Sequence, residues 1–199
     1  MSRLIWIVTH ADVVIDPAVP VPDWGLNPKG AARHAALAER WIACRPAPDA
    51  IWSSDERKAR EGAAPLAEAC GLMARTDPGL GENDRSATGF IPEPEFSRVA
   101  SAFFAHPDDS IRGWEPARDA QARIVAAVDR VVAATPGTGE IVIVTHGGVS
   151  TLLLCALLDH PIDESMGPGI AGGGGICALN ERKLIRGWRA IESAGALAL

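Results

Sequence analysis

Two short apolar runs rich in β-branched residues stand out along the chain, residues 4–8 (LIWIV) and 140–144 (EIVIV), and both read as buried strands. Residues 50–52 and 72–75 read as two further strands, and 176–179 with 184–188 as a final strand pair. Between them lie helical patterns. Asn27-Pro28 reads as an N-cap with proline at the first helical position, opening a helix to about residue 44 whose face would carry Ala31, Ala35, Ala38 and Ile42. Ser53 and Glu56 have the spacing of a capping box, starting a helix through about residue 70. Residues 94–105 and 115–134 follow as helices, the second with Ile124, Val125, Val128, Val131 and Val132 at helical spacing. Residues 150–158 are apolar on nearly all sides and predict a buried helix. Residues 12–27 and 78–93 read as loops, and Gly172 to Gly175 as a turn. Strands alternating with helices predict an α/β three-layer sandwich, a mostly parallel sheet with helices on both faces.

Composition narrows the possibilities. The 199 residues fit a single domain over 1–199 and can bury a substantial core, since 47% are apolar. A formal net charge of −6 with no basic stripe argues against nucleic acid as a partner. No apolar run is long enough to span a bilayer or serve as a signal peptide, so a cytoplasmic protein without membrane attachment is expected. The four cysteines, Cys44, Cys70, Cys155 and Cys177, form no C-x-x-C pair and read as free buried thiols.

The chemistry concentrates at two strand ends. Val8-Thr9-His10 closes the first strand and Val144-Thr145-His146 the late one. In an open parallel sheet, ligands bind beyond the carboxyl ends of the strands. If the two strands are neighbours, both histidines face one crevice. Gly147-Gly148 then lets an anion approach backbone N–H groups at the start of a helix.

Four segments, in order, carry a resemblance to a known family. They are Thr9-His10-Ala11, SSDERKAREGA from Ser53 to Ala63, Leu80-Gly81-Glu82, and Thr145-His146-Gly147-Gly148. The chain resembles the histidine phosphatase (phosphoglycerate mutase-like) superfamily, whose corresponding signatures are Arg-His-Gly, Ser-Ser-x-Leu-x-Arg-Ala-x-x-Thr-Ala, Leu-x-Glu and Ser/Thr-His-Gly-Gly. The resemblance implies that His10 is the phosphoryl-accepting nucleophile, Glu82 the acid-base group, and His146 a donor to the phosphoryl oxygens. It implies a small phosphorylated substrate and neither metal nor other cofactor. Glu82 would need a raised pKa to protonate a departing alcohol.

The departures from the family pattern are specific. Thr9 replaces the first arginine, Ala11 the glycine, and Lys58 the second arginine. Thr9 brings a hydroxyl without charge, and Lys58 a point charge without the planar fork that grips phosphate through two bonds. Arg57 and Arg85 are candidate replacements. Hydrolysis of a phosphate ester leads the functional readings. Mutase-type transfer, phosphate binding without turnover, and a metallohydrolase using His10, His146, Glu82 and Asp84 remain alternatives.

Overall fold

The computed structural model describes residues 3–180 and 183–199. Its centre is a six-stranded sheet in the order β3-β2-β4-β1-β5-β6. The strands are β1 (Leu4–Thr9), β2 (Ala50–Ser53), β3 (Arg75–Thr76), β4 (Ile141–Thr145), β5 (Gly175–Asn180) and β6 (Lys183–Ala190). The first four run parallel, β5 is antiparallel to β1, and β6 is antiparallel to β5. The helices are α1 (Pro28–Cys44), α2 (Arg57–Ala69), α3 (Glu95–Ala105), α4 (Ala117–Ala133) and α5 (Gly147–Leu157).

Both faces of the sheet are covered, which is why β1 and β4 read as continuous apolar runs. On β1, Ile5 and Ile7 pack with Phe103 of α3, Ile124 and Val128 of α4, and Leu152 of α5. Trp6 and Val8 point the other way, against Leu37 and Trp41 of α1 and Ala63 and Leu66 of α2. The sandwich expected from the alternation of strands and helices is present, with its two antiparallel strands on one side.

Several local expectations need correction. The third strand is Arg75–Thr76 rather than residues 72–75, and both of its residues are exposed. The buried face of α1 is Gly30, Arg33, His34, Leu37, Ala38 and Trp41, whereas Ile42 is 57% exposed. Two polar side chains lie on the inward face, Arg33 paired with Asp12 and His34 accepting from the Ala11 amide, so a hydrophobicity pattern points to the wrong side of the helix. Asn27 does cap α1, accepting from Gly30 N at 2.9 Å. The capping box at Ser53 does not form. Ser53 stays in β2, the Glu56 amide donates to Ser54 Oγ at 3.3 Å, and α2 starts one residue beyond Glu56. All four cysteines are free, but Cys44 is exposed and only Cys155 and Cys177 are buried. No helix among the described residues is long and apolar enough to cross a membrane.

Arg33 ties the loop after β1 to the glycine turn before β5. Its guanidinium pairs with Asp12 at 2.8 Å and Glu192 at 3.0 Å, and donates to Gly173 O at 3.0 Å. Arg33→Met is expected to cost about 3 kcal/mol in denaturant unfolding, the low end for a broken buried pair. The low end applies because Asp12 keeps Lys29 as a partner and Glu192 is half exposed. A loss under about 1 kcal/mol would show that the clamp does not hold the fold.

Candidate active site

Strands β1 and β4 are direct neighbours, with Val8 opposite Val144 and Thr9 opposite Thr145. His10 and His146 therefore leave the sheet side by side, their ring centroids 5.2 Å apart. His10 is partly exposed and His146 fully buried.

The turn after β1 fixes the His10 ring. Its Nδ1 lies 2.9 Å from the carbonyl of Ala11. That carbonyl is an acceptor, so Nδ1 carries the proton and Nε2 presents a lone pair. The Ala11 amide donates to buried His34 Nε2 at 3.2 Å, and the His10 carbonyl accepts from Gly174 N at 2.8 Å. Gly173 has φ +71°, and a Cβ there would stand 2.4 Å from the His10 carbonyl oxygen, so only glycine fits against this turn. Burial holds His10 below the usual histidine range, against the raising effect of its bond to Ala11. A neutral nucleophile follows at neutral pH.

His146 sits at the N-cap of α5. Ser54 Oγ lies 2.7 Å from its Nε2, while its buried Nδ1 has no partner. Nδ1 is thus the ring nitrogen of His146 left open to a ligand. Burial pushes the His146 pKa down to about 3, despite the opposing effect of Glu56.

Glu82 closes the site from the loop before α3. Its carboxylate accepts from Gly148 N at 3.1 Å, Val149 N at 3.0 Å and Asn83 N at 3.2 Å, so it caps α5 from outside that helix. A Cβ on Gly148 would meet Glu82 Oε1 at 2.6 Å, whereas Gly147 opens onto free space. Burial works to raise the Glu82 pKa, but Arg85 and His146 outweigh it and hold the carboxyl below its usual range. The raised pKa expected of a standing acid is therefore not found. Three amide donors stabilise the carboxylate form.

The substituted positions now have places. Thr9 is buried and accepts from Gly175 N at 2.8 Å, a bond that ties β1 to β5. Lys58 is buried, and its Nζ donates to Val21 O at 2.9 Å and pairs with Glu56. Arg85 Nη2 is 3.4 Å from Glu82 Oε2, and its guanidinium lies 4.7 Å over the Trp114 ring. It joins the site through Glu82. Arg57 does not join the site. It is 58% exposed and pairs with Glu61 one turn along α2, so its candidacy as a replacement phosphate ligand is corrected.

Glu56 is the site residue that sequence reasoning missed. Its carboxylate accepts from Glu82 N at 2.8 Å, pairs with Lys58, and lies 3.3 Å from His146 Nε2. Burial works to raise its pKa, but His146, when protonated, and Lys58 outweigh it, and at neutral pH Lys58 and the Glu82 amide hold the group ionised. The signal was present, because Glu56 stands where the family motif has leucine, two residues before Lys58. The capping-box reading concealed it. Arg123 was not singled out either. It pairs with Glu115 and donates to the carbonyls of Gly79, Gly81 and Glu82, shaping the loop that delivers Glu82. Among the described residues no group of three or more His, Cys, Asp or Glu is arranged to hold a metal ion.

Buried neutral histidines make a pH prediction. His34 is pushed down to about 3 by burial, chiefly, and by His10 and Arg33. The unfolded chain takes up a proton near pH 6.5, but the folded form does not. Stability is therefore complete above that pH and falls as the pH drops toward 3. His34 and His146 each contribute a slope on the order of 1 kcal/mol per pH unit. Urea titrations between about pH 7 and about pH 4.5 should show this decline, and His34→Gln should flatten it. An equal slope in that variant would count against a proton-linked role for His34.

A neutral histidine with a free lone pair, a second histidine with an unpartnered ring nitrogen and a carboxylate at a helix start therefore meet at one edge of the sheet. The family model described as histidine phosphatase superfamily (branch 1) matches residues 5–181, and the chain belongs to that superfamily. No curated protein sequence matches significantly. Among solved structures, the mycobacterial glucosyl-3-phosphoglycerate phosphatase Rv2419c with inorganic phosphate is similar at 26% identity and a TM-score of 0.74, covering 97% of this chain and 100% of that one. Bacillus stearothermophilus YhfR shares the fold at 21% identity and a TM-score of 0.72, with 95% of each chain covered. A putative alpha-ribazole-5'-P phosphatase from Escherichia coli shares it at 17% identity and a TM-score of 0.72, covering 96% of this chain and 99% of that one.

Proposed function

We propose that this protein is a metal-independent phosphohydrolase of small phosphate esters that works through a phosphohistidine on His10. The observation that carries the reading is the bond from His10 Nδ1 to the Ala11 carbonyl, which leaves the Nε2 lone pair free on a partly exposed ring next to the His146 ring. In-line attack by Nε2 on phosphorus divides one difficult displacement into two easier ones. The family role of His146, donating to the phosphoryl oxygens, falls on its unpartnered Nδ1. Glu82 carries protons between the phosphoryl group, the leaving group and the attacking water. The similarity to a mycobacterial phosphatase supports hydrolysis over mutase-type transfer.

Phosphate binding without turnover is a second reading. Thr9 brings no charge and Lys58 is already paired with Glu56, so the cationic grip on phosphate is weakened at both departures. Incubation with alkyl and aryl phosphate esters, with and without a chelator, separates the two. Chelator-insensitive phosphate release supports the phosphohydrolase, and a full panel without release favours the binding protein.

A further inference from the structure

The charges around His10 balance in a way that bears on the substrate's ionic form. Lys58 from α2 faces Glu56 at the start of the same helix, and Arg85 faces Glu82. His10 from β1 and His146 from β4 both have pKa values lowered by burial, and Ser54 is uncharged. From α4, Arg123 is committed to Glu115. Two cations thus meet two carboxylates around the pair of neutral histidines. A site of this kind compensates one negative charge on a bound phosphoryl group better than two, because the second charge is desolvated without a partner.

We infer that Glu56 is a specificity-determining residue that neutralises Lys58, so that the site takes a singly charged phosphoryl group in preference to the dianion. This rests on the proposal that the cleft between His10 and His146 receives a phosphoryl group. The geometry of Glu82 points the same way. Its oxygens accept three amide N–H bonds and face Arg85, so it enters the reaction as a carboxylate with no proton to give. A monoanionic ester brings that proton on its own phosphoryl oxygen.

The steps balance. The His10 Nε2 lone pair forms the N–P bond, and the P–O bond to the alcohol breaks with its electron pair on oxygen. The phosphoryl proton passes through the Glu82 carboxylate to that oxygen, releasing a neutral alcohol. Water then forms the new P–O bond while the N–P pair returns to Nε2. Its proton passes by way of Glu82 to the phosphoryl group, releasing monoanionic phosphate. One negative charge is present throughout.

Binding of inorganic phosphate to the full chain, measured calorimetrically at about pH 5.5 and about pH 8.5, tests this without relying on turnover. Wild-type affinity should fall at least about fivefold at the higher pH, where the ligand is largely dianionic. Glu56→Gln and Glu56→Leu should each bind phosphate at least about tenfold tighter than wild type at the higher pH, with most of the pH difference gone. Melting curves of both variants would establish that they are folded. Wild-type affinity that is equal or greater at the higher pH, or unchanged affinity in both folded variants, would overturn the inference. So would the absence of phosphate binding in all three proteins. Ester turnover measured in parallel separates the two proposals. Turnover without the binding pattern defeats the role of Glu56 alone. The binding pattern without turnover defeats the phosphohydrolase and leaves the charge selection standing.

Discussion

His10→Ala is expected to lower phosphate ester hydrolysis by at least about 10³-fold, because it removes the atom that bonds to phosphorus. The other groups of the site cannot replace it. His146 is wholly buried and engaged with Ser54, and His34 lies under the Ala11 amide. The fold should tolerate the change, since His10 is partly exposed and its hydrogen bond is to a neighbouring carbonyl. Initial rates with saturating ester give the loss. A second readout identifies its cause. Wild-type protein quenched during turnover should carry an acid-labile, base-stable phosphoryl group, and the variant should carry none. Comparable turnover by the two proteins would sink the phosphohistidine route.

The role of His10 came from the family resemblance, but the meeting of the two histidines was readable from the repeated Val-Thr-His tripeptide, and the reason is physical. Strands buried on both faces leave a long apolar signal, so the ends of β1 and β4 are easy to locate. Their adjacency in the sheet then brings both histidines to one edge. What stayed hidden was set by side-chain direction rather than by element type. Arg33 and His34 occupy the inward face of α1 because Asp12, Glu192, the Ala11 amide and glycine carbonyls meet them there. None of those partners is local in sequence. Lys58 and Arg57 are adjacent on α2 yet have opposite fates, one buried against Glu56 and the other exposed beside Glu61. A helix places neighbouring residues about 100° apart, so a small error in phase exchanges a site residue for a surface one. The position of the α2 start decided that phase, and the Ser53–Glu56 spacing misplaced it by suggesting a cap where Glu56 instead faces the site.

Glu82→Gln should lower kcat for an alkyl phosphate by about 10²–10⁴-fold, the usual range for a lost proton carrier. The deficit should shrink for an aryl phosphate, whose leaving group departs with little protonation. The same substitution also disturbs structure, because a Gln side chain keeps one acceptor oxygen where two carboxylate oxygens accept from Gly148, Val149 and Asn83. An amide NH₂ would face at least one of those donors, costing roughly 1–2 kcal/mol of stability. Stability loss alone would scale both substrates alike once measured on the folded fraction. The ratio of the two deficits is therefore the informative quantity. If Glu82 carries the proton, the alkyl deficit exceeds the aryl one by tenfold or more. If Glu82 serves only to cap α5 and hold Gly148 in place, the two deficits are equal and leaving-group protonation must come from elsewhere. The low pKa of Glu82 sharpens the comparison, since acid is not stored on the carboxyl between turnovers. A proton has to arrive with each substrate, so the wild-type alkyl rate should rise as the pH falls toward the second ionisation of the ester, near ~6. The Gln variant, lacking a carboxylate to relay that proton, should lose most of this rise while the aryl rate changes little.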